Sequence, residues 1–68
     1  MSRPVNDKIK DAINVQYNTT RQGVDEIRDA YNSDDSKECS KHLKESKKHL
    51  NDVAEKIDEI TKVLDNEG

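Results

Sequence analysis

The chain has 68 residues, of which 29% are apolar and 40% charged; Trp and Phe are absent and the net charge is −3. Ordering a chain of this length costs on the order of 100 kcal/mol, which its few apolar side chains offset only by sharing a surface with something else. A large private core is excluded, and the weak acidity gives no general pull toward nucleic acid or anionic membranes.

The opening segment Met1–Asp7 carries no apolar run, so no signal peptide is expected. From there Ile13, Tyr17, Thr20, Val24, Ile27 and Tyr31 recur at alternating spacings of four and three. That is a heptad seam, and it predicts a helix over about residues 5–32. Pro4 suits a first turn. Gly23 weakens the middle by roughly 1 kcal/mol. The seam keeps its phase across it, which favours one continuous helix over two.

Asn32-Ser33-Asp34-Asp35-Ser36 is a cluster of turn and cap formers. Asp35 followed by Glu38 resembles a capping box with Asp in place of Ser or Thr. The turn is expected at 33–35.

The second half has no Gly or Pro before its last residue. Its seam is Cys39, Leu43, Ser46, Leu50, Val53, Ile57, Ile60 and Leu64, again alternating four and three. It predicts a helix over about 36–65. A turn this short makes the two helices antiparallel neighbours. The expected fold is therefore all-α, one domain over 1–68, an αα-hairpin.

Folding the seams together pairs Ile27 with Leu43, Thr20 with Leu50 and Ile13 with Ile57. One flank of that contact, formed by Ile9, Gly23, Ala30, His42, His49 and Val63, is apolar or small. A further helix could approach there. Two helices bury too little alone, and the expected completion is a homodimer forming a four-helix bundle. The histidines on that flank should resist protonation by desolvation, so acid should weaken assembly.

The candidate chemistry is sparse. Glu38–His42 and Glu45–His49 are spaced i, i+4, whereas di-metal bundles use Glu-x-x-His; no metal or other cofactor is expected. Cys39 is the sole cysteine, so no intrachain disulfide forms, and a reducing, cytoplasmic setting is expected. No nucleophile motif, phosphate loop or enclosed cleft is foreseen, and an enzyme is not expected.

Lys37, Lys41, Lys44 and Lys48 form a basic stripe on the outer face of the second helix. The bland account is a solvated face laced by pairs such as Lys41–Glu45 and Lys48–Asp52. The functional account makes the stripe a contact for a protein partner. Nucleic-acid binding is the alternative, disfavoured because no aromatic platform accompanies the lysines. The sequence thus points to a small non-enzymatic protein–protein interaction module, an adaptor or an inhibitor, with no membrane span.

Overall fold

A computed structural model describes residues 3–67; Met1, Ser2 and Gly68 lie outside the described residues. Two helices follow one another, α1 over Asp7–Tyr31 and α2 over Ser36–Glu67, and pack along each other as a hairpin. The molecule is a rod of 53 × 16 × 16 Å.

Local chemistry fixes the helix ends. The first helix begins two residues later than the pattern suggests. Asn6 takes the extended N-cap conformation (φ −76°, ψ 164°) and its Oδ1 accepts the Ile9 N–H at 2.9 Å. An N-cap side chain that satisfies a free amide sets the start more firmly than Pro4 does. At the turn, Asp35 Oδ2 accepts the Glu38 N–H at 3.0 Å, and Ser33 Oγ donates to the Asp35 carbonyl at 3.2 Å. The Asn32 and Ser33 amides close the end of α1 on the Arg28 and Ala30 carbonyls. Helix α1 runs unbroken through Gly23, and α2 extends to Glu67.

Helix α2 meets its neighbour along its own seam, at Ser46 and Val53, whereas α1 turns a different line inward. Ala30 and Val53 are 4% and 7% exposed, Ser46 is 2%, and Gly23 is buried. Ser46 Oγ donates to the Gly23 carbonyl across the interface at 2.8 Å. A Cβ on Gly23 would sit 2.9 Å from Leu50 Cδ2 and 3.5 Å from His49 Cβ. The half-buried positions of α1 are Ile9, Ala12, Gln16, Thr19, Thr20 and Glu26. The contact line of α1 is thus turned by about one residue, roughly 100°, from the predicted seam.

The reason is steric. Gly, Ala and Ser let two backbones close in, and the large seam residues cannot occupy the same narrow line. They lean out instead. Tyr17 and Val24 are 60% and 54% exposed, and Ile13, Ile27, Leu43 and Ile57 are about half exposed. For α1 the expectation of a buried seam with a spare small-residue flank is therefore reversed, while α2 buries its seam at Ser46 and Val53. Gly23 and Ala30 are sealed inside the hairpin, and the seam side is left open.

Candidate functional site

The two long sides of the rod differ. One is apolar. Ile13, Tyr17 and Thr20 of α1 and Ile57, Ile60 and Leu64 of α2 border a cleft of about 410 Å³ toward the open end of the hairpin. Val24, Ile27, Tyr31 and Leu43 continue the same side toward the turn by helical periodicity. Thr20 fits this surface because its hydroxyl donates to the Gln16 carbonyl at 2.8 Å, which spares its methyl for apolar contact. Arg21 lies over the Tyr17 ring at 5.9 Å from its centroid, a cation placed at the rim.

The other side is polar. His42 Nδ1 and Glu26 Oε2 are 2.9 Å apart, each side chain a little over one-quarter exposed. This hydrogen bond to Glu26 raises the His42 pKa above 6.5; partial desolvation opposes it, and the negative charges of Glu26, Asp29 and Glu38 reinforce it. The expectation that His42 resists protonation by desolvation is corrected here. Protonation strengthens this contact, because Glu26 lies one turn from Ala30 and faces the imidazole directly. Helical spacing offers His42 a partner on its own helix, Glu38; only the packing of α1 against α2 supplies Glu26.

Ligand-type atoms of Glu26, Asp29 and His42 lie within 4.8 Å of one another. The histidine nitrogen already has a carboxylate partner, so the geometry is that of an ion pair. His49 is half-buried beside Gly23, away from this group, and Cys39 is half-buried near the turn.

The remaining sequence candidates are scattered. Ile9 is half-buried and Val63 is 47% exposed. Lys37, Lys41, Lys44 and Lys48 are all exposed on the outer side of α2, and the first three line a shallow depression with Glu38 and Glu45. The i, i+4 ladder is not formed. Among the described residues the ion pairs are His42–Glu26 and an exposed Lys56–Glu59 contact at 3.4 Å. Exposed pairs hold long side chains for little return, which leaves these lysines unpaired.

Every buried side-chain polar atom among the described residues has a hydrogen-bond partner. No helix of the described chain is long and apolar enough to cross a membrane. Comparison with protein-family models, with curated proteins and with solved structures gives no match.

Proposed function

We propose that this chain is a non-enzymatic helical interaction module that acts through its apolar side and is completed by a second copy into a four-helix bundle. The observation that carries this is the uncovered apolar side, made chiefly by the seam of α1. Ten large apolar side chains, from Val5 to Val63, are at least 39% exposed. Most of them share one side of the rod rather than being scattered singly, the pattern that marks an interaction surface.

Area supports the same reading. The hairpin exposes 5802 Å². A compact monomer of this mass exposes roughly 4,400 Å². The excess, roughly 1,400 Å², exceeds the roughly 800 Å² per partner of a standard interface. The Lys37–Lys48 stripe remains on the outside of such a bundle, where it offers a charged contact to an acidic protein partner. Glu38 and Glu45 interleave with these lysines and weaken the case for a phosphate backbone. A cytoplasmic adaptor or inhibitor is the role that this combination of surfaces suits.

Light scattering and far-UV circular dichroism across a concentration series test the reading. The wild type should have the mass of two chains at micromolar concentration. Tyr17→Lys with Ile57→Lys, both on the apolar side, should reduce it to one. Val15→Lys, which lies on the opposite side of α1 and replaces a 56% exposed residue, should leave assembly intact. A wild type that stays monomeric and fully helical, with no response to the double substitution, would overturn the proposal.

A further inference from the structure

We infer that Glu26, Asp29 and His42 form a binding site for a divalent transition-metal ion, with Zn²⁺ the best match, that clips α1 to α2 beside the turn. The site lies on the polar side of the rod and does not depend on the proposed self-association.

The donors converge from two helices. Glu26 and Asp29 are three residues apart on α1, a spacing that puts both carboxylates on one side of the helix. His42 reaches them from α2. Its Nδ1 is 2.9 Å from Glu26 Oε2, and one ligand atom from each of the three residues lies within 4.8 Å of the others. An ion pair and a chelate draw on the same convergence of groups. Spacing along one helix does not reveal this group, because its members come from both. The backbones that carry it are firmly placed. Glu26 stands one turn before Ala30, which is 4% exposed, and His42 one turn before Ser46, which is 2% exposed. Ligands that spring from packed helices need little ordering when an ion binds. Glu26 and His42 are each a little over one-quarter exposed and Asp29 is exposed, which gives the ion an entry path.

Charge and donor type select the ligand. Glu38, one turn before His42 on α2, acts on the same imidazole as Glu26 and Asp29. Three carboxylates therefore surround one histidine. Among the described residues, no Lys or Arg is ion-paired with any of them. Protonated His42 offsets one of these charges; a divalent ion offsets two and gives the exposed Asp29 a partner. One imidazole nitrogen with carboxylate oxygens suits zinc and its first-row neighbours, whereas Ca²⁺ and Mg²⁺ favour oxygen ligands. Three protein ligands leave a fourth position for water. Zinc takes the neutral imidazole, so a proton held between His42 and Glu26 passes to solvent as the ion enters. Because the ligands lie on both helices, the ion binds the folded hairpin and stabilises it.

Thermal melts of chelator-treated protein, with and without Zn²⁺ at one chain concentration, test this together with a calorimetric titration. Binding should saturate at one ion per chain. Zinc at about one hundred times its Kd should raise the folding constant about 100-fold and lift Tm by roughly 10–20 °C for a chain of this size. Asp29→Asn and His42→Gln should each remove most of that response. Asp29 is exposed, so its substitution leaves the fold intact and its effect reports ligation. His49→Gln and Cys39→Ser, which delete the other histidine and the sole cysteine, should keep the full response. In proton NMR, zinc should shift the ring signals of His42 and leave those of His49 in place. A melt that zinc does not move would overturn the site. So would a response that survives Asp29→Asn combined with His42→Gln.

Discussion

Replacing Gly23 asks directly whether the small-residue line is the heart of the hairpin. Alanine adds one carbon, 2.9 Å from Leu50 Cδ2 and 3.1 Å from its Cγ. Leu50 is only half-buried and must yield by a few tenths of an ångström, costing about 0.5–1.5 kcal/mol in side-chain torsion. Helix propensity returns roughly 1 kcal/mol. Gly23→Ala should therefore fall within about 1 kcal/mol of wild type. Leucine has no such escape. Its outer carbons overfill a closed contact at about 1–3 kcal/mol. Forcing the helices apart also breaks the 2.8 Å Ser46–Gly23 bond and strands a hydroxyl that is now buried. That adds about 1–3 kcal/mol. After the propensity gain, the net loss is about 3 kcal/mol, enough to unfold a marginal domain of this size. Urea melts at equal chain concentration are the assay, since assembly couples stability to concentration. A Gly23→Leu variant as stable as wild type would mean that Gly23 does not lie between the helices.

The remaining expectations follow from single contacts. The His42 pKa is raised above its unfolded 6.5, chiefly by the bond to Glu26. The resulting stability is full well below pH 6.5 and is lost as pH rises through the folded pKa; Glu26→Gln should remove this dependence, and a melt indifferent to pH between 6 and 8 in the wild type would refute it. Asp35→Ala deletes the N-cap of α2 and should cost about 1 kcal/mol, whereas Asp34→Ala, next to it and without that bond, should cost almost nothing; denaturant midpoints compare the two. If the Lys stripe bound duplex DNA through three or four phosphates, log K would fall with log salt at a slope near −3. We expect no such binding at physiological salt, and micromolar salt-sensitive binding abolished by Lys41→Glu with Lys48→Glu would favour a nucleic-acid role instead.

Much of the hairpin was legible because its signals are local. The heptad spacing, the absence of Gly and Pro from the body of α2, and the turn cluster each act over a few residues, and the structure has two helices joined at that cluster. Asp35 was readable as a cap because its partner, Glu38 N–H, is three residues away. Asn6 is an equally good cap, but Pro4 offers a competing start in the sequence. The long-range contacts are less legible. Periodicity gives the angle of an apolar stripe around one helix but not which edge of that stripe meets a neighbour. In α1, Ile13, Tyr17, Val24 and Ile27 mark the stripe while Gly23 and Ala30 mark the closest approach, and steric fit between two backbones chose the second; α2 meets them on its own stripe, at Ser46 and Val53. The same packing brought Glu26 to His42 across sixteen residues, so that this histidine gains a proton more readily instead of resisting it. The sequence by itself determined two amphipathic helices and the place where the chain turns, because those depend on propensity, capping and spacing along one strand of chain. Only the tertiary structure decided which side is sealed and which is left open, because that depends on how closely two helices can approach.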